Sequence, residues 1–454
     1  MKYTFTLFLF TLLSFSKLSA QQSESSKIYN NHVYDYNFID QKFNLLQYSK
    51  KSIINNFVSK LLNAKNKKIT IAHFGDSHVQ LDYFSSTFRN LLDSNYGNSG
   101  RGLIFPFSIA KTYSHRDFTS NFTGKWLSSN SIQNPPKIPL GVSGFVANTK
   151  DMYANVTFKF NKKLDSGPYI LYAYFKNDSD NYEIKVSDFS NYFKKIDSKE
   201  KNNIKIFVTE KSFDSIKIEF SKSSYDDESD LFFYGLEIKK ETPGVLYHNL
   251  GVGGACFNAL NQQIYFDNQF KILNPDIVIL DWGTNDIIYK NNVSNDLEYT
   301  IVQTIKKIRS ISPNISIILT SVQDMNYKGL NISKAKDFSD LIRKISIEED
   351  CLFYDWFYIS GGRFSMKKWD ENLLARKDNI HLTPLGYKVK AELFFDAIQK
   401  SIFDFKNNNF KVKLLLDTPI DTFKTSQLTI KNIKYKKNKK YKKHKIIRRK
   451  RIRK

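Results

Sequence analysis

The sequence predicts a doubly wound parallel α/β sheet of five strands that carries an inserted all-β sandwich domain. Three observations lead to this fold class. Short apolar runs alternate with amphipathic helical patterns, as in a parallel sheet covered on both faces. The alternation stops between Tyr96 and Pro243. The interrupting segment consists of short alternating strands separated by polar turns, which is typical of a sandwich.

The predicted strands of the parallel sheet are the buried apolar runs 69–74, 245–249, 276–281, 315–320 and 351–355. Helical patterns lie between and after them, at 43–64, 301–308, 338–345 and 389–398. The inserted segment opens with a glycine-rich loop, 97–102. Its predicted strands are 154–160, 169–175, 204–208, 215–220 and 231–238. We therefore divide the chain into a first α/β part (41–96), an insert resembling a carbohydrate-binding domain (97–243), a second α/β part (244–406) and a tail (407–454).

Both ends of the chain carry targeting or charge signals. Residues 1–20 have a short basic start, an apolar run at 7–13 and a small-residue cleavage site before Gln21, which predicts a signal peptide and export. The net charge is +24, which at first indicates nucleic-acid binding. However, residues 431–454 hold 15 Lys and Arg and no acid, so the other 430 residues carry only +9. Such a block is usually a solvated tail, and we expect nucleic acid not to be the partner.

The two cysteines, Cys256 and Cys351, are expected to be small buried hydrophobic residues rather than a disulfide framework. The sequence contains neither a CxxC nor an HExxH motif, so it indicates no zinc site. No metal or cofactor is expected.

Four polar clusters lie at strand ends of the predicted sheet or in the loops beyond, where open α/β sheets bind ligands. In chain order they are Gly75-Asp76-Ser77-His78, Gly251-Val252-Gly253-Gly254-Ala255, Gly283-Thr284-Asn285-Asp286 and Asp378-Asn379-Ile380-His381. Taken singly, each is better explained as a turn or a helix cap. Taken together, they supply every group that nucleophilic catalysis needs.

The roles follow from the chemistry of the side chains. Ser77 needs a base because a hydroxyl is a weak nucleophile, and His381 can serve as that base. Asp378, three residues earlier, can orient His381. The glycine loop and Asn285 can donate hydrogen bonds to an oxyanion, and the loss of one such donor typically costs about 2.7–4 kcal/mol of barrier.

The blocks GDSH, GVGGA, GTND and DNIH resemble those of the SGNH hydrolase superfamily, the GDSL-type esterases. The resemblance implies that Ser77, His381 and Asp378 form a catalytic triad. It also implies an oxyanion hole made by the N–H groups of Ser77 and Gly254 and the side chain of Asn285, with Gly253 as the alternative glycine. His78 stands where the GDSL name has Leu, so lipase-like expectations do not carry over.

The segments GGRFSMKKW (361–369) and DNIHLTPLGY (378–387) make the chain look most like SGNH-type peptidoglycan O-acetylesterases, which also carry a β-sandwich insert. This resemblance implies removal of O-acetyl groups from a glycan in the periplasm or cell envelope. Alternatives are an acetylesterase acting on another polysaccharide or a lipid ester, acetyl transfer instead of hydrolysis, and a non-catalytic glycan-binding protein. The basic tail adds a possible anionic envelope surface as partner.

Overall fold

The computed structural model describes residues 36–165, 167–177, 181–196, 204–224, 228–288, 293 and 295–407. The predicted signal peptide and the basic segment 431–454 lie outside the described residues. Within the described ranges, no helix has both the length and the apolarity needed to cross a lipid bilayer.

The strands and helices alternate as predicted in the α/β parts, with all-β structure between them. The strands are β1 Lys68–Gly75, β2 Gly100–Ile104, β3 Phe118–Thr123, β4 Leu127–Asn130, β5 Phe145–Thr149, β6 Tyr153–Leu164, β7 Tyr169–Asn177, β8 Tyr182–Ser187, β9 Lys194–Ile196, β10 Ile204–Thr209, β11 Phe213–Lys222, β12 Leu231–Lys240, β13 Gly244–Gly251, β14 Ile277–Asp281, β15 Ser316–Thr320, β16 Asn326–Tyr327, β17 Leu330–Asn331 and β18 Leu352–Tyr354. The α-helices are α1 Lys51–Leu62, α2 Ser77–Gln80, α3 Tyr83–Tyr96, α4 Phe107–Ala110, α5 Phe266–Leu273, α6 Thr284–Ile287, α7 Asn295–Ile311, α8 Lys334–Glu348, α9 Trp356–Ile359, α10 Ser365–Glu371 and α11 Pro384–Lys406. Two 3₁₀ turns, Asn63–Lys65 and Phe257–Gln262, complete the described helical structure.

The predicted five-stranded parallel sheet is confirmed, in the order β13-β1-β14-β15-β18. This is the doubly wound order in which the first strand has the second on one side and the third on the other. Successive side chains of β1 enter different cores: Ile69 and Ile71 pack with α1, α3 and α11, whereas Ala72 and Phe74 pack with α5, α7 and α8. Both faces of the sheet are therefore buried.

The inserted β domain is also confirmed. One of its antiparallel sheets has the order β4-β5-β12-β7-β10-β9, with β2 paired to β12, and the other has the order β3-β6-β11-β8. The sheets meet through apolar side chains such as Phe220 and Phe233, whose ring centroids are 5.5 Å apart. The same hydrophobic core continues into the α/β part through Leu250 and Val252. The exact domain boundaries stay predictions.

Two predicted elements differ in the structure. The helix expected over 43–64 begins only at Lys51, because Gln47 exchanges backbone hydrogen bonds with Phe353 of β18 at 2.8 and 2.9 Å. The glycine-rich run 97–102 is extended and not a loop. Asn98 bridges to Val245 of β13, and β2 then joins the sheet of the insert. Gly100 has a φ of 124°, and a Cβ there would lie 2.5 Å from the carbonyl oxygen of Ile238. The glycine thus lets the chain pass from one sheet to the other.

Candidate active site

Ser77 lies at the carboxyl end of β1, on the first turn of α2. The carboxylate of Asp76 caps this helix by accepting a hydrogen bond from the His78 N–H at 2.9 Å. The neighbouring strand β14 pairs with β1 so that Gly75 lies opposite Asp281, and the Asn285 loop leaves the sheet at the same edge. Ser77 therefore lies at the switch point between β1 and β14, as the rule for open sheets predicts.

The structure brings the three predicted triad residues together. Ser77 Oγ lies 2.8 Å from His381 Nε2, and His381 Nδ1 lies 2.8 Å from Asp378 Oδ2. Both contacts are hydrogen bonds of ordinary length. Ser77 and His381 are half-buried and Asp378 is exposed, so the triad lines an open cleft.

The loop between α10 and α11 holds Asp378 and His381 in this geometry. Asp378 Oδ1 accepts hydrogen bonds from the backbone N–H groups of Ile380 and His381, both at 2.9 Å. Burial raises the pKa of Asp378, but these two bonds and the contact with the His381 ring outweigh it and hold the pKa below its ordinary value. An ionised carboxylate can only accept, so His381 Nδ1 carries the proton and Nε2 is left to accept from Ser77.

The glycine loop after β13 passes beside Ser77. A Cβ on Gly253 would lie 3.8 Å from Ser77 Cβ. The Gly253 N–H donates to Gln80 Oε1 and is thus already occupied. The neighbouring Gly254, at φ 88°, faces the side chain of Ile132. This favours Gly254 over Gly253 as the residue whose N–H faces a ligand.

Asn285 also lies at the cleft. Its Nδ2 donates to the carbonyl of Ala255 at 3.1 Å and contacts Asp76 Oδ2 at 3.4 Å. Burial raises the pKa of Asp76 to about 7, against the opposing effect of the hydrogen bond from the His78 N–H. Asp76 thus links the backbone of the nucleophile turn to the Asn285 amide.

Three participants were not assigned a role from the sequence. His78 packs on His381 with ring centroids 5.1 Å apart, and its Nδ1 lies 2.8 Å from the hydroxyl of Tyr387. Gln80 accepts a hydrogen bond from the Gly253 N–H. Its position three residues after Ser77, one helical turn on, is the only sequence signal that could have identified it.

The insert reaches the site as well. A cavity of about 270 Å3 opens beside Gly254, with residues of the insert on one side and of the α/β part on the other. It is lined by Ser131, Ile132, Asn134, Gly254, Cys256, Asn258, Ala259, Gln262, Asp286, Asp296, Leu297 and Thr300. Cys256 is half-buried here, not fully buried as expected, whereas Cys351 is buried. Neither forms a disulfide.

The model of the GDSL-like Lipase/Acylhydrolase family matches residues 220–389, which include three of the four blocks but not Ser77. A solved structure of a peptidoglycan O-acetylesterase superposes with a TM-score of 0.67 at 20% identity, covering 79% of this chain and 99% of that one. Residues 220–389 thus resemble this family in sequence, and the superposition shows that the chain shares the fold of that esterase. No protein in the search of curated sequences matches it.

The likeness in fold extends beyond the segment that matches the family, since the superposed length exceeds that of the α/β part alone and includes residues of the insert. An acetyl-xylooligosaccharide esterase from Geobacillus is a second similar structure, with a TM-score of 0.28 at 20% identity over 34% of this chain and 73% of that one. The description of the matched family, lipase and acylhydrolase, names enzymes that hydrolyse esters.

The buried His78 should not gain a proton near neutral pH. Burial, and then the nearby His381, lower the pKa of His78 well below its ordinary value, so we expect His78 to remain neutral from pH 5 to 8. Imidazole nitrogen chemical shifts followed by NMR over this range check the prediction, with His78→Leu assigning the signals. A midpoint near the ordinary histidine pKa of about 6.5 at His78 would contradict it.

Proposed function

We propose that the chain is a serine esterase that removes O-acetyl groups from a carbohydrate, with peptidoglycan as the first candidate, through an acetyl-enzyme intermediate. The observation that carries the proposal is the continuous hydrogen-bonded line from Ser77 Oγ through His381 to Asp378, with 2.8 Å at each contact. Nucleophile, base and orienting acid are thus in direct contact.

In the first half-reaction, Ser77 Oγ attacks the acetyl carbonyl carbon and its proton passes to His381 Nε2. Asp378 stabilises the imidazolium that forms. The tetrahedral intermediate then collapses: the bond between carbonyl carbon and sugar oxygen breaks, and His381 returns the proton to that oxygen. In the second half-reaction, His381 deprotonates a water molecule that attacks the acetyl carbonyl carbon. The bond between this carbon and Ser77 Oγ then breaks, His381 returns the proton to Oγ, and acetate leaves.

The negative charge on the carbonyl oxygen is met by three donors: the N–H groups of Ser77 and Gly254 and the Nδ2 of Asn285. The 3.4 Å contact from Asn285 to Asp76 is the longer of its two, so it is the weaker and the one that an oxyanion would replace. The shorter contact to Ala255 keeps the amide aimed at the cleft. Donors held in place before the charge develops lower the barrier most.

A carbohydrate substrate is supported by the cavity beside Gly254. Amide and hydroxyl side chains from both parts of the chain line it, among them Ser131, Asn134, Asn258 and Gln262. Such groups donate to and accept from sugar hydroxyls. The similar solved structure is that of a peptidoglycan O-acetylesterase, which supports peptidoglycan as the first polymer to test.

The proposal includes where the enzyme acts. The signal-peptide pattern of residues 1–20 supports export to the periplasm or cell envelope. The 15 basic residues of 431–454 support a tether to an anionic envelope surface rather than to nucleic acid. Acetylated glycan is then the substrate partner, and no metal or cofactor takes part in the mechanism.

We expect Ser77→Ala to lower acetate release by at least about a thousandfold, because the nucleophile is lost. The measurement is release of acetate from an aryl acetate, from O-acetylated peptidoglycan and from acetylated xylan. Ser94→Ala, which changes an exposed serine of α3, is the control and should match the wild type. Equal rates for Ser77→Ala and wild type would refute the assignment of Ser77 as the nucleophile. Release of acetate from xylan but not from peptidoglycan would refute peptidoglycan as the substrate.

We expect Asn285→Ala to reduce kcat by about 10²–10³ with little change in KM, because the amide acts on charge that exists only in the transition state. Asn258→Ala removes an exposed amide that lines the neighbouring cavity and serves as the control on the aryl acetate. A raised KM with kcat preserved would show that Asn285 binds the ground state instead.

A further inference from the structure

A second cavity, of about 490 Å3, lies where helix α3 meets the insert, and we call it the α3–insert cavity. It is lined by Ser86, Arg89, Asn90, Asp93, Asn98, Gly100, Arg101, Arg116, Asp117, Phe160, Asn161, Lys162, Lys163, Leu164, Asp165, Tyr169 and Lys240. None of the residues assigned above to the triad or the oxyanion hole is among them. Its volume is in the range of small-molecule sites.

Positive charge predominates in this lining. Six side chains are basic and three are acidic. Burial raises the pKa of one of the acids, Asp93, to about 6, against the effect of Arg89 and of a hydrogen bond from Asn98. A concave surface with an excess of one charge concentrates ligands of the opposite charge.

Two buried arginines form the floor of the cavity. Arg89 and Arg101 each expose only 6% of their surface. Both lie against the carboxylate of Asp117, Arg101 through Nε and Nη2, and Arg89 through Nη1 at 3.6 Å. Arg101 Nη1 and Arg89 Nε have no hydrogen-bond partner in the part of the chain that the structure describes. A buried N–H without a partner is costly, so each of the two guanidinium groups keeps one donor that the described protein groups do not satisfy.

Three lysine side chains lie at the rim of the α3–insert cavity. Lys162 and Lys163 follow each other at the end of β6 and are exposed, and neither makes an ion pair with a described residue. Lys240, at the end of β12, lies with Nζ 4.8 Å from the centre of the Tyr169 ring. The rim therefore supplies ammonium groups that are not committed to a protein carboxylate.

We propose that the α3–insert cavity binds an anionic group, a carboxylate or a phosphate, carried by a glycan. Guanidinium groups at the floor match the planar geometry of a carboxylate or the oxygens of a phosphate. The lysines at the rim provide long-range attraction and adjust to the ligand. The insert contributes most of the cavity wall, which gives it a binding role of its own.

A series of side-chain contacts connects the cavity with the triad. Arg116, one of its lining residues, stacks 4.0 Å above the ring of Tyr83. Tyr83 in turn stacks on Tyr387, with planes 5° apart and centroids 6.1 Å apart, and Tyr387 contacts His78 beside the nucleophile. As a subsite for the substrate of Ser77, the cavity rests on the proposed function, whereas the binding of the anion does not.

The test is calorimetric titration of the full-length chain at low ionic strength, using trigalacturonate as the carboxylate probe and glucose 6-phosphate as the phosphate probe. The variant Lys162→Gln/Lys163→Gln removes two rim charges. Lys159→Gln/Lys195→Gln is the matched control, because it removes two exposed lysines of β6 and β9 that do not line the cavity. The basic tail is present in every protein compared, so its contribution cancels.

We expect the rim variant to weaken binding of at least one probe about fivefold, and the control to stay within about twofold of wild type. Weakening with trigalacturonate alone identifies a carboxylate ligand, and with glucose 6-phosphate alone a phosphate ligand. Equal weakening in both double variants would overturn the proposal. So would fully methyl-esterified trigalacturonate, which is neutral, binding as tightly as the acid. Because neither probe is an ester substrate, loss of the esterase proposal would leave this result unaffected.

Discussion

The active site depends on how the carboxyl ends of β1 and β14 are held to helix α11. Strand pairing places Gly75 beside Asp281, so the Ser77 and Asn285 loops leave the sheet together. The Asp281 carboxylate is buried and lies 3.1 Å from Lys390 Nζ, which belongs to α11. Because α11 begins three residues after His381, this ion pair anchors the base to the same sheet edge as the nucleophile. Removing one partner of such a buried pair typically costs about 3–5 kcal/mol.

Further buried polar groups fix the same edge. Thr320 Oγ1 donates to Asp281 at 2.6 Å, and His73 Nε2 lies 3.6 Å from the same carboxylate. Lys390 and these contacts outweigh the effect of burial and hold the pKa of Asp281 below its ordinary value. Asp281 therefore stays charged. The cluster is buried, whereas the triad is partly exposed and open to substrate.

Much of this could be predicted from the sequence because it follows local rules. Apolar runs of strand length gave the five parallel strands, and the order of the four polar blocks gave Ser77, Asn285, Asp378 and His381 as neighbours. The start of α1 could not be predicted, since the bond between Gln47 and Phe353 joins residues some 300 positions apart in the chain. Six short strands of the insert, β2–β5, β8 and β9, could not be predicted for the same reason. They form because they pair with strands that are distant in the sequence, and their own residue pattern does not indicate them.

The two cavities illustrate the same limit. Gly254 and Ile132 meet only because the insert packs on the α/β part, and no spacing in the sequence indicates this contact. Arg89, Arg101, Lys162 and Lys240 come from four separate elements, and each alone is an ordinary basic residue. Blocks with a motif can be found by their order, whereas sites assembled from unrelated elements become visible only in the folded chain.

The most direct test of the central claim is to look for the acetyl-enzyme itself. Wild-type protein is mixed with excess aryl acetate, quenched in acid within milliseconds to seconds, and digested for mass spectrometry. The account predicts one acetyl group per chain, attached to Ser77 and absent when the reaction runs to exhaustion before quenching. An acetyl group on a different residue would contradict it, and so would full turnover with no acetylated Ser77 at any quench time.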